Sequence, residues 1–142
     1  MVADDERPAR ALLEEMIEEV VDAVLMGEAE TGPEAVSVIE RTCPHLALLD
    51  LEMPEMGGSE VARVVKPETM PLFAFVTAYD QYAVRAFEVN AVDHLLKPVA
   101  PERLQECFRR VRDQLAEPGW REGHRADLRA AIGECERAVP TR

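Results

Sequence analysis

Asp4, Asp5 and Asp50 bring carboxylates, Thr77 a hydroxyl and Lys97 an ammonium, and each stands where a short apolar run gives way to polar chain. These residue types suit phosphoryl transfer. That reaction needs an oxygen nucleophile, neutralisation of charge on the moving oxygens, and accurate positioning. Asp50 is the candidate nucleophile. Three carboxylates drawn together would repel one another, and a hard divalent cation bound through oxygen relieves that repulsion. Mg²⁺ favours a few carboxylates alongside waters and phosphate oxygens. Lys97, a point charge, can pair with Asp50 before transfer and with phosphoryl oxygens afterwards, while the Thr77 hydroxyl can donate a hydrogen bond to one of them.

Something must bring residues so distant in sequence together. Short apolar runs alternate with amphipathic stretches five times, the pattern of parallel strands joined by crossover helices. The predicted strands are Met1 to Ala3, Ala23 to Gly27, Leu46 to Leu49, Leu72 to Val76, and Asp93 to Leu96. The third is apolar without alternation, as expected of a central strand buried on both faces. The first is short, since a strand usually takes about five or six residues.

Five helices are predicted between and after them. Pro8 opens one with Leu12, Leu13, Met16, Ile17 and Val20 on its apolar face, and Thr31-Gly32-Pro33 opens a second with Ala35, Val36, Val38 and Ile39 inward. Ser59 to Val65, Gln81 to Val89, and Glu102 to Leu115 follow, the last with Leu104, Cys107, Phe108, Val111 and Leu115 at helical spacing. In an open α/β sheet, ligands bind outside the carboxyl ends of the strands. Asp4-Asp5, Asp50, Thr77 and Lys97 all follow strand ends, so the topology predicts that they converge.

Taken singly, each residue also has an ordinary reading. Asp4-Asp5 reads as a solvated acidic run, Asp50 as a turn or capping residue, Thr77 as a strand-end hydroxyl, Lys97 as a surface charge and Gly57-Gly58 as a plain turn. The joint pattern is what outweighs them. Asp4-Asp5-Glu6, Asp50-Leu51-Glu52-Met53-Pro54 with Gly58, Thr77-Ala78 and Lys97-Pro98 together resemble the receiver domain of bacterial two-component response regulators, over about Val2 to Leu115. The stretch from Val76 to Glu88 is particularly similar to receivers of the LytR/AlgR class, whose members usually carry a C-terminal LytTR DNA-binding domain absent from this sequence.

The resemblance implies a flavodoxin-like, doubly wound, five-stranded parallel sheet of order 2-1-3-4-5 with five helices. It further implies Asp50 as phosphoacceptor for a sensor histidine kinase and a Mg²⁺ ion coordinated by Asp5, Asp50 and the Glu52 backbone carbonyl, with Asp4 acting through water. Thr77 and Lys97 would bind the phosphoryl group, and Lys97-Pro98 resembles the family's cis peptide. In the family an aromatic residue three positions before the lysine swings inward and reshapes the face made by the fourth helix, fifth strand and fifth helix, a face also available for pairing with a second copy. His94 stands there instead, smaller, more polar and titratable near neutral pH, so the aromatic switch does not carry over directly. The bland reading of His94 is a partly exposed strand histidine.

Composition narrows the remaining classes. The 142 residues amount to about one domain, with a receiver over 1–116 and a tail over 117–142 that reads as a linker or a short helix. Formal net charge is −12, and the tail is balanced, with Glu117, Glu122, Asp127, Glu134 and Glu136 against Arg121, Arg125, Arg129, Arg137 and Arg142. So acidic a body repels phosphate backbones and anionic lipid, which excludes direct nucleic-acid or membrane binding by this stretch as the expected role. Cys43, Cys107 and Cys135 are odd in number and far apart, as for reduced thiols. With neither a span-length apolar segment nor a signal-peptide pattern at Met1-Val2-Ala3-Asp4-Asp5, a cytoplasmic protein is expected.

Two other functions compete. A haloacid-dehalogenase-like phosphatase also places a nucleophilic Asp and Mg²⁺ at a strand end, but its Asp-x-Asp is here Asp50-Leu51-Glu52, without the second Asp as acid/base. A pseudo-receiver, binding or dimerising without phosphorylation, draws support from the short first strand and His94. The expected protein is therefore a signalling switch rather than a turnover enzyme.

Overall fold

The run Leu-Ala-Leu-Leu-Asp forms β3 (Leu46–Asp50), and all five of its residues are buried, so neither face of this strand meets water. Around it the structure, a computed structural model, describes residues 1–78 and 91–120. The other elements are β1 (Val2–Ala3), α1 (Arg7–Glu18), β2 (Glu28–Ala29), α2 (Gly32–Thr42), α3 (Gly58–Val64), β4 (Leu72–Thr77), β5 (Asp93–Leu96) and α4 (Pro101–Leu115), with one 3₁₀ turn at Pro67–Thr69. The strands make a single parallel sheet in the order β2-β1-β3-β4-β5. The predicted helix over 81–89 and the tail from 121 onward lie outside the described residues.

Successive strand residues feed opposite faces of the sheet. Ala3, Leu49, Phe73 and Phe75 pack with Ile39 of α2 and Val61 of α3 on one face. Val2, Leu48, Leu72, Val76 and Leu95 pack with Leu13 and Ile17 of α1 and Leu104 and Phe108 of α4 on the other. The sheet is thus covered on both sides, as a doubly wound fold requires.

The helices start where the sequence places them. Pro8 sits in the first turn of α1. Thr31 caps α2 by accepting a hydrogen bond from the Glu34 amide at 3.3 Å. Of the predicted apolar face of α1, Leu13 and Ile17 are buried while Leu12 is 46% exposed, and Arg10 is buried among them instead.

The second strand differs from expectation. Pairing falls on Glu28–Ala29 rather than on Ala23 to Gly27, and Val24 and Met26 are exposed. β1 is in register with β2 through Val2 opposite Glu28 and Ala3 opposite Ala29. The Val2 amide donates to the Gly27 carbonyl at 3.2 Å and the Asp4 amide to Ala29 at 3.0 Å, and no residue of β1 lies opposite 23–26.

Candidate functional site

Strand register sets the site. Ala3 pairs with Leu49, Asp50 with Val76, and Thr77 with Leu96, so the carboxyl ends of β1, β3, β4 and β5 come level at one edge. There the Leu51 amide donates to the Val76 carbonyl at 3.0 Å and the Lys97 amide to the Thr77 carbonyl at 2.8 Å, which ties each exit loop to the neighbouring strand.

The side chains meet in that edge. Asp4 is fully buried, Asp50 nearly so, and the Lys97 ammonium lies 2.9 Å from Asp4 Oδ2, 3.0 Å from Asp50 Oδ2 and 3.4 Å from Glu6 Oε1. The opposite oxygens are held by backbone. Asp4 Oδ1 accepts the Glu6 amide at 2.9 Å, and Asp50 Oδ1 accepts the Glu52 amide at 3.0 Å. Carboxylate oxygens of Asp4, Asp5, Glu6 and Asp50 lie within 4.8 Å of one another.

Such crowding shifts the protons. Burial, reinforced by the Asp4 charge, pushes the Asp50 carboxyl up to about 6, although the Glu52 amide and Lys97 pull it down. Burial works against the Lys97 ammonium, but its hydrogen bonds to Asp4 and Asp50 outweigh that and raise its pKa. The all-oxygen, acidic donor set is the kind a hard divalent cation prefers.

The loop after Asp50 closes tightly. A Cβ on Gly58 would lie 2.7 Å from the Asp50 carbonyl oxygen, so only glycine lets the start of α3 approach the strand end. The Lys97-Pro98 peptide is cis.

Of the sequence-predicted residues, Asp4, Asp5, Asp50 and Lys97 are brought together, with Thr77 buried at the same edge. Glu52 contributes its amide to Asp50, and its side chain is exposed. His94 is not part of that acidic cluster. Its ring lies beside Phe75, centroids 6.1 Å apart, and its carbonyl accepts Arg103 at 3.0 Å. Glu6 was not singled out from the sequence, although its place beside Asp4-Asp5 was the signal for it.

A family model described as "Response regulator receiver domain" matches residues 1–109. The chain belongs to the response regulator receiver family. It is 42% identical over 111 residues to an uncharacterized response regulatory protein of Yersinia pestis, covering 78% of this chain and 47% of that one. Against the transcriptional regulatory protein BtsR of Salmonella typhi it is 35% identical over 114 residues, covering 80% and 48%. The chain thus spans about half the length of the curated relatives it matches.

Among solved structures, the signal receiver domain of the putative response regulator NarL from Mycobacterium tuberculosis superposes with a TM-score of 0.71 at 26% identity, covering 78% of this chain and 93% of that one. The REC domain of AraT, a response regulator from Geobacillus stearothermophilus, gives 0.66 at 32% identity, covering 80% and 92%. This receiver is accordingly a phosphorelay signalling domain of the two-component type, a class that works with sensor histidine kinases. No helix among the described residues is long and apolar enough to cross a membrane.

Proposed function

We propose that this receiver takes a phosphoryl group on the Asp50 carboxylate, from a histidine kinase, in a Mg²⁺-dependent reaction. The observation that carries the reading is the placement of Lys97 Nζ between the buried carboxylates of Asp4 and Asp50, beside Asp5 and Glu6. An Asp50 oxygen attacks phosphorus, the bond to the donor breaks, and the donor leaves with its bonding electron pair, as imidazole from phosphohistidine or as acetate from acetyl phosphate. Asp5, Asp50 and the Glu52 carbonyl are the proposed ligands of the cation, with Asp4 acting through water. Bound there, Mg²⁺ would neutralise charge on the phosphoryl oxygens. Lys97 passes from the carboxylate to a phosphoryl oxygen, and the Thr77 hydroxyl donates to another.

The switch that follows is proposed for the face of β5 and α4, where His94 stands in place of an aromatic residue. That face is also the proposed contact for a second copy. The stretch Val76 to Glu88 supports a LytR/AlgR-type receiver, and a cytoplasmic setting accords with a kinase partner.

The test is intact-protein mass spectrometry after incubation with acetyl phosphate, with and without Mg²⁺, on the native chain and on Asp50→Asn. One added phosphoryl group, present only with Mg²⁺ and absent from Asp50→Asn, is the expected result. No gain under any condition would sink the active switch and favour a pseudo-receiver.

A further inference from the structure

Arg10 is the one buried cation on α1, with a side chain only 5% exposed, and the phosphoryl chemistry makes no use of it. Its guanidinium spends all three nitrogens. Nη1 donates to the Asp4 carbonyl at 2.8 Å, Nε to Glu28 Oε1 at 3.1 Å, and Nη2 to Glu30 Oε1 at 3.3 Å. Its own backbone amide donates to the Glu6 carbonyl at 3.0 Å. Arg10 therefore grips both ends of the Asp4–Glu6 turn and anchors that grip on the carboxylates at the end of β2.

The turn is also tied by the Asp4 amide to the Ala29 carbonyl at 3.0 Å and by Lys97 to Asp4 and Glu6, but it is the Arg10 side chain that holds the Asp4 carbonyl. β1 pairs through two residues on each side, whereas a strand usually supplies about five or six. A planar fork with several donors can hold three partners at once in fixed directions, which a lysine ammonium on a flexible stem does less well.

We propose that Arg10 is a positioning residue for the acidic site, clamping the Asp4 carbonyl so that the carboxylates of Asp4, Asp5 and Glu6 stay aimed at Asp50. The proposal rests on the Mg²⁺-dependent reading above. It differs in sign from a role through charge alone. A guanidinium acting only by its charge would repel Mg²⁺, so its removal would tighten binding. A clamp predicts weaker binding on removal.

Mg²⁺ affinity of the full chain, measured by calorimetry on the native protein, Arg10→Met, Arg10→Lys and the double variant Glu28→Gln/Glu30→Gln, tests the clamp. Amide exchange at Glu6, whose N–H is held by Asp4 Oδ1, gives a metal-free readout on the same proteins. Arg10→Met is expected to bind Mg²⁺ about tenfold more weakly, the usual scale for losing a group that orients a ligand, and to lose Glu6 protection. Arg10→Lys should fall between it and the native chain. In the double variant, whose changes are at exposed side chains, the loss of two negative charges by itself weakens Mg²⁺ binding, so there the loss of Glu6 protection is the expected sign of the clamp.

Unchanged or tighter Mg²⁺ binding in folded Arg10→Met, with Glu6 exchange as in the native chain there and in the double variant, would overturn the clamp. If the native chain binds no Mg²⁺, the phosphoacceptor reading fails separately, and Glu6 exchange alone decides the clamp.

Discussion

The two halves of the sheet that meet at β3 hold their parts of the site by different means. On one side β3 and β4 pair along five residues, from Leu46 with Leu72 to Asp50 with Val76, and every residue of both strands is buried. On the other side β1 is in register with β2 and β3 through Val2 and Ala3, with Met1 bonded to Leu46 and Leu48 and Asp4 to Ala29 at its two ends. Asp50 and Thr77 therefore ride on a long backbone ladder, while Asp4 and Asp5 follow a shorter one, to which the side chains of Arg10 and Lys97 add bonds. A shared site needs both supports, and the weaker one governs how accurately the acidic side meets the phosphoacceptor.

The largest expected effect contrasts the halves within one apolar cluster. Leu72 of β4 and Val2 of β1 pack into the same cluster and are equally buried. Leu72→Ala should cost about 2–5 kcal/mol, the range for a buried leucine with its residual cavity. Val2→Ala should cost only about 1–2 kcal/mol, at roughly 0.8 kcal/mol for each methylene-sized group removed. Urea unfolding followed by circular dichroism measures both. A Val2→Ala loss as large as that of Leu72→Ala would mean that β1 contributes to global stability as β4 does, and the contrast would fail.

A second prediction concerns charge rather than packing. The Asp50 carboxyl titrates near 6 in the fold, against 3.8 ordinarily, so the folded chain holds that proton more tightly than the unfolded one. Below about pH 4 both states are protonated and the group is neutral in its effect. As pH rises through 6, the buried carboxylate increasingly destabilises the fold. Asp50→Asn in EDTA should therefore be more stable than the native chain at pH 7.5 by roughly 1–2 kcal/mol. That is below the ceiling of about 1.4 kcal/mol per pKa unit, because Lys97 loses a partner. The gain should fade as pH drops from 6 toward 4. Equal stability of the two proteins at pH 7.5 would show that Lys97 fully compensates the burial of Asp50.

What the sequence revealed divides along the same line. The unbroken apolar runs of β3 and β4 made both strands and their carboxyl-end residues readable, because burial on both faces leaves a composition that loops do not share. β2 was misplaced, since Ala23 to Gly27 has the composition of a strand but meets β1 only through the Gly27 carbonyl, and pairing is a property of the neighbour rather than of the run. Arg10 was missed for a related reason. Within a helix whose apolar positions were being counted, a lone arginine reads as solvated, and only the fold puts Asp4, Glu28 and Glu30 around it. Glu6 lay in plain view beside the acidic pair, but its approach to Lys97 across 91 positions depends on the sheet order.

The smallest effect sharpens the comparison on the well-supported side. Glu55, in the loop between Asp50 and α3, is exposed and has φ 71°, a left-handed conformation that a side chain with a Cβ adopts at a penalty of about 1–2 kcal/mol. Glycine adopts it without that penalty but gains freedom in the unfolded chain, which offsets part of the benefit. Glu55→Gly should therefore stabilise the chain by up to about 1 kcal/mol in urea unfolding. If the ladder of β3 and β4 fixes Asp50 independently of its exit loop, the Mg²⁺ affinity of Glu55→Gly will match that of the native chain. A change in affinity with this substitution would instead make the loop, and not the ladder alone, a support of the phosphoacceptor side.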